Sequence, residues 1–86
     1  MTATIEIVQQ YITEHLLQQR NISLTDTEQL IQNGYLSSLA VVELVVFLEE
    51  RFGIEIDPDD VTEEHFATLQ SIAGLVERQR RVQGVS

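Results

Sequence analysis

Eighty-six residues, fourteen acids against five arginines for a net charge of −9, and no cysteine set the limits of this chain. One domain with a modest core is expected, because a chain this short buries only about two-thirds of the surface it exposes when unfolded. An acidic surface disfavours nucleic acid and anionic membranes, the missing thiols exclude a disulfide framework and thiolate metal sites, and no apolar run is long enough to span a bilayer.

The start, Met1 to Glu6, has neither the basic region nor the long apolar run of a signal peptide, so the expected location is cytoplasmic. Ile5 to Gln19 then repeats Ile5, Val8, Ile12 and Leu16 at helical spacing. Between Arg20 and Leu36 that period lapses. Asn21, Ser23, Thr25, Asp26, Asn33 and Gly34 bring turn chemistry, while Leu24, Leu30 and Ile31 are apolar anchors that tether a long loop. Thr25 and Glu28 stand at capping-box spacing, enough for a short helical turn over Thr25 to Leu30.

A second helix is predicted from Ser38 to Phe52, with Ser37 as its N-cap and Gly53 as the residue that tolerates a left-handed stop. Val41, Leu44, Val45, Leu48 and Phe52 gather on its inward side, and Leu39, Glu43, Val46 and Glu50 form a stripe roughly opposite. Ile54 and Ile56 bracket an extended piece that Pro58 ends. Val61 to Phe66 reads as a short helix. The last helix starts near Thr68, buries Leu69, Ile72, Ala73 and Val76, and frays from Arg78, with Arg78, Arg80 and Arg81 suited to its negative end. The fold class expected is all-α: a small four-helix bundle of three longer helices and one short, with the long loop between the first two. Residues 1–80 form the domain and 81–86 a mobile tail.

Ser38 is the residue with the most chemistry. A hydroxyl presented where a glycine-led loop becomes a helix lies at the positive end of the helix dipole, which favours an anionic substituent such as a phosphate ester. Glu43, Glu49, Glu50, Glu55, Asp57, Asp59, Asp60, Glu63 and Glu64 face only Arg51 in their segment, so the middle of the chain carries a negative field suited to basic partners. Other sites fail on spacing. The run from Asp57 places Thr62 and Thr68 where a calcium loop needs glycine and glutamate, and His15 and His65 lack paired ligands for zinc. A serine hydrolase would need a nucleophile elbow that Ser38 does not have. Tyr35 and Phe47 read as packing residues.

Ser38-Leu39, Glu43-Leu44 and Leu48-Glu49-Glu50-Arg51-Phe52-Gly53-Ile54-Glu55-Ile56 together resemble the acyl and peptidyl carrier protein family, and the likeness runs from the first helix to about Gln79. The resemblance implies that Ser38 carries covalent 4′-phosphopantetheine, derived from coenzyme A, whose thiol holds an acyl or aminoacyl group as a thioester. Counting back from Glu43-Leu44 places the modified position on Ser38, with Ser37 the alternative. The family's usual Asp-Ser-Leu reads Ser37-Ser38-Leu39 here: Ser37 still caps the helix but brings no charge.

Implied partners are a phosphopantetheinyl transferase and acyl-loading and acyl-accepting enzymes with basic patches, docking on Leu39, Glu43, Val46, Glu49 and Glu50. A free-standing, non-catalytic monomer is expected. The Asn33-Gly34-Tyr35-Leu36 and Glu64-His65-Phe66-Ala67-Thr68 segments are similar to small carriers of D-alanylation or specialised polyketide and peptide assembly. The rival reading is an unmodified acidic adaptor that kept the carrier fold and lost the group along with the aspartate.

Overall fold

The first helix follows its apolar period but is not α-helical throughout. α1 spans Thr2–Tyr11 and passes into a π-turn over Ile12–Leu16, closed by the Leu17 N–H on the Ile12 carbonyl at 2.8 Å. Thr13 explains the loosened ladder. Its hydroxyl donates to the carbonyls of Gln9 (3.0 Å) and Gln10 (3.3 Å), competing with the backbone for the same acceptors. The computed structural model describes residues 2–17 and 24–84, so the predicted end of this helix at Gln18 and Gln19, the first residues of the loop, and the last two of the tail lie outside the described residues.

α2 spans Ser38–Phe52 and α3 spans Leu69–Val82, with no strand among the described residues. α3 packs against both other helices. Val8 of α1, Ile12 of the π-turn, Leu44, Leu48 and Phe52 of α2, and Leu69, Ile72, Leu75 and Val76 of α3 are buried in one core. Val41 and Val45, predicted inward, are half-buried against its edge. α2 ends as its sequence dictates: Gly53 takes φ +66° and its N–H reaches the Glu49 carbonyl, after which Ile54 turns back into the core.

The described part of the first connection is a set of turns pinned at three buried leucines, Leu24, Leu30 and Leu36. Each such burial contributes about 1.5–3 kcal/mol, enough to order a segment that has no helix of its own. Hydrogen bonds tie the segment to the start of α3. The Leu30 N–H donates to Ala67 O at 2.7 Å, and Gln70, in the first turn of α3, donates its otherwise orphaned N–H to Asp26 O at 3.0 Å. Thr68 and Ser71 close a reciprocal capping box at the same end, with Ser71 in the place usually held by Glu or Gln.

Two predicted elements differ in the structure. The short helix expected over Val61–Phe66 is a series of turns, with a 3₁₀ turn at Pro58–Asp60 ahead of it. Pro58 favours a first turn, but only a few residues remain before the Thr68 cap, too few to recover the cost of helix nucleation. Thr62 instead holds the His65 N–H (3.2 Å), and Phe66 plugs the core.

α3, expected to fray from Arg78, continues to Val82. Arg78 pairs with Asp60 at 3.5 Å, and the Gln83 side-chain amide matches the Glu55 backbone at two points, donating to its carbonyl (2.8 Å) and accepting from its N–H (2.9 Å).

Candidate functional site

The chain approaches α2 through a tight sequence of turns. Asn33-Gly34 supplies the reversal, with Gly34 at φ +84°, a conformation costly for any residue with a side chain. The Leu30 carbonyl then accepts both the Tyr35 N–H (2.8 Å) and the Leu36 N–H (3.1 Å). Leu36 is 2% exposed, whereas Ser37 and Ser38 are both open to solvent, so the backbone passes from core to surface in a single step.

Ser37 is the N-cap: with extended backbone, its Oγ accepts the Ala40 N–H at 3.2 Å and its carbonyl accepts the Val41 N–H at 2.9 Å. Ser38 is therefore the first residue of the helix. Its hydroxyl lies where the dipole and the unpaired first-turn N–H groups favour negative charge, and that turn holds no acid to compete.

An open groove of about 260 Å³ adjoins this hydroxyl, lined by Ser37 and Ser38, by the apolar Ile31, Leu36, Val41, Val42 and Val61, and by Thr62 and Glu63. A phosphate ester on Ser38 would have solvent and helix N–H groups on one side and this lining on the other. The residues present thus fit an attached phosphodiester with a flexible arm.

Leu39, Val42 and Val46 are 68%, 56% and 49% exposed and share one face of α2, beside exposed Glu43 and Glu50. Val42 was not in the predicted stripe; its position three residues after Leu39 was the available signal. Glu49 behaves differently from the other two glutamates. It is half-buried and its Oε2 accepts the Ile56 N–H at 2.9 Å, so its carboxylate secures the chain after α2.

Sequence reasoning also missed the contact between Tyr11 and Phe47, which are far apart in the chain and stack across α1 and α2. Burial raises the Tyr11 hydroxyl pKa, and the charges of Glu43 and Glu50 add to the shift. Of the histidines, His65 sits beside Thr62 (Nδ1 to Oγ1, 3.1 Å) and His15 is exposed against Tyr11. Among the described residues no three acidic or histidine side chains converge as metal ligands, and no helix is long and apolar enough to cross a membrane. Compared with known families, residues 10–76 match the model described as "Phosphopantetheine attachment site".

Proposed function

Since this chain belongs to the phosphopantetheine-attachment carrier family, we propose that Ser38 bears the group and that the exposed face of α2 presents it to successive enzymes. The protein is a carrier, not a catalyst, and its partners are a phosphopantetheinyl transferase and acyl-processing enzymes. When attached, 4′-phosphopantetheine supplies the thiol on which an acyl group is held as a thioester. With no cysteine in the chain, no internal thiol competes for that acyl group.

The observation that carries the assignment is the position of Ser38: an exposed hydroxyl on the first residue of α2, inside the matched segment and beside an apolar groove. Ser37 is exposed too, but its oxygen is already engaged as the helix cap. Leu39, Glu43, Val46 and Glu50, joined by Val42, form the docking face in this reading, and Glu49 lies at its edge. Apolar contact at the centre with carboxylates around it suits brief, electrostatically steered encounters with basic surfaces. The cargo class we favour is that of small discrete carriers, an aminoacyl or specialised polyketide or peptide unit.

Intact mass of the protein from its native cells, with fragmentation across Gly34 to Leu48, tests the assignment. One phosphopantetheinyl group on Ser38, lost in Ser38→Ala and retained in Ser37→Ala, is the expected result. Ser37→Asp is expected to speed modification by restoring the charge that the family usually places there. A group found on Ser37 would move the site. A chain unmodified in cells and refractory to a broad-specificity transferase would favour the acidic adaptor, a reading for which the uncharged Ser37 speaks.

A further inference from the structure

The turn that leads the chain toward Ser38 holds an Asn-Gly pair. Asn33 and Gly34 are both exposed, and a Cβ built on Gly34 meets nothing within 4 Å, so the space around this peptide is open. The turn closes as many helices do. The Gly34 N–H donates to Ile31 O at 3.1 Å and the Tyr35 N–H to Leu30 O at 2.8 Å, with Gly34 left-handed at φ +84°. Among the described residues the Asn33 side chain is held by its Nδ2 on Glu28 Oε2 at 3.4 Å, the long end of the hydrogen-bond range.

These features converge on one reaction. When the Gly34 peptide nitrogen gives its proton to hydroxide it becomes a nucleophile beside the Asn33 carboxamide, and glycine has no Cβ to shield it. A bond forms from this nitrogen to Asn33 Cγ, the Cγ–Nδ2 bond breaks, and the amide group leaves as ammonia with a proton from water. Water then opens the resulting cyclic imide on either side of the shared nitrogen. Opening at Cγ gives aspartate; opening at the Asn33 backbone carbonyl gives isoaspartate, whose main chain runs through Cβ and Cγ. The Gly34 N–H must leave Ile31 O for the ring to close, so the turn itself governs the rate. Asn21, the other asparagine, precedes Ile22, whose branched side chain crowds the equivalent nitrogen.

We propose that Asn33 is a site of spontaneous deamidation and that its isoaspartyl product loosens the entry to α2. Either product puts a carboxylate where the Nδ2 donor faced Glu28, turning a hydrogen bond into a repulsion between like charges. Isoaspartate does more, because it lengthens the main chain inside the turn. Leu30 O accepts the Leu36 N–H at 3.1 Å as well as that of Tyr35, so both hydrogen bonds that link the buried Leu30 to the approach of α2 span the lengthened stretch. The modification needs no enzyme or oxidant, accumulates with the age of the chain, and does not depend on what Ser38 carries.

The full chain is kept in mildly alkaline buffer and sampled by intact mass, with electron-transfer fragmentation across Gln29 to Leu36 to tell isoaspartate from aspartate. The expected result is replacement of NH2 by OH at Asn33, faster than at Asn21, at a rate proportional to hydroxide, and absent from Asn33→Gln, whose longer side chain closes a less favourable ring. Modified chains are separated by anion exchange through their added charge. Hydrogen exchange at the Tyr35 and Leu36 amides is then expected to be fastest in the isoaspartyl chain, slower in Asn33→Asp, which has the charge without the longer backbone, and slowest in the parent. Three results would overturn the proposal: Asn33 intact in the folded chain when the urea-unfolded chain has reacted there, a rate indifferent to hydroxide, or isoaspartyl chains whose Tyr35 and Leu36 amides exchange no faster than those of Asn33→Asp.

Discussion

One charged hydrogen bond joins the first helix to the last. Thr4 Oγ1 donates to Glu77 Oε2 at 2.5 Å, and Arg80 Nη1 lies 3.4 Å from the same oxygen. Thr4 is 4% exposed and the Glu77 side chain 26%, so water reaches only one of the two partners freely. Thr4→Val keeps the branching and volume and deletes the donor.

A hydrogen bond to a charged group contributes about 1.5–3 kcal/mol; discounted for the partial exposure of Glu77, the expected loss is about 1–2 kcal/mol. In a domain of this size each kcal/mol lowers the melting temperature by about 4–8 °C. The Thr4 hydrogen bond, helped by the Arg80 charge, holds the Glu77 carboxyl below its usual 4.5. A depressed folded-state value means that the stabilisation is complete above 4.5 and disappears as the pH falls through that lowered value.

Thermal unfolding followed by circular dichroism should therefore show the largest deficit for Thr4→Val at about pH 7 and near convergence with the parent at about pH 2. A deficit that stays constant across this range would refute the reasoning, because it would mean that packing at Thr4, not the charged bond, holds the helices together. In a double-mutant cycle, Glu77→Gln should recover most of the loss as coupling to Thr4.

Gly53→Ala should cost about 1 kcal/mol, read as a lower urea midpoint at unchanged slope, since the added Cβ meets nothing within 4 Å and only the φ of +66° is strained; no change would mean that the helix end relaxes. Leu44→Ala, at a fully buried position, should cost about 2–5 kcal/mol in the same assay, and a loss much under that range would show the core to be loosely packed there. Ser37→Ala removes the acceptor of the Ala40 N–H and should cost about 1 kcal/mol, with faster hydrogen exchange at that amide as the local signature. Ser37→Asp keeps the cap and adds about 0.3–1 kcal/mol through the helix dipole, checked by the same unfolding curve; a destabilised Ser37→Asp would contradict the cap geometry.

α2 was legible in the sequence from end to end because its signals are local: Ser37 caps it, Gly53 stops it, and Leu44, Leu48 and Phe52 recur on one face. The start of α3 was legible for the same reason, through Thr68. Its far end was not, because what carries it past Arg78 is long-range: the Arg78–Asp60 pair and the Gln83 amide on Glu55, a residue 28 positions away. The turns at Val61–Phe66 carry residues suited to a helix start, Thr62 to Glu64, but lack the length to sustain a helix, and the π-turn after Tyr11 comes from a hydroxyl whose choice of acceptor the apolar period does not encode. At the candidate site, Ser37 as the cap and Ser38 as the first helical residue followed from neighbouring residues, whereas the groove beside them needs Ile31 and Val61 to meet α2 in space.

The buried Leu36 has a mechanical consequence for any group that is attached at Ser38. It is a peg driven into the core just before the exposed serines, and on the other side Leu44 fixes α2 from below. A pull on a substituent at Ser38 is thus borne by apolar packing on both sides of the attachment point. The root of a flexible tether attached there would stay still while its tip explores, so the volume swept by a cargo would be set by the tether alone and would stay centred on one spot of the surface.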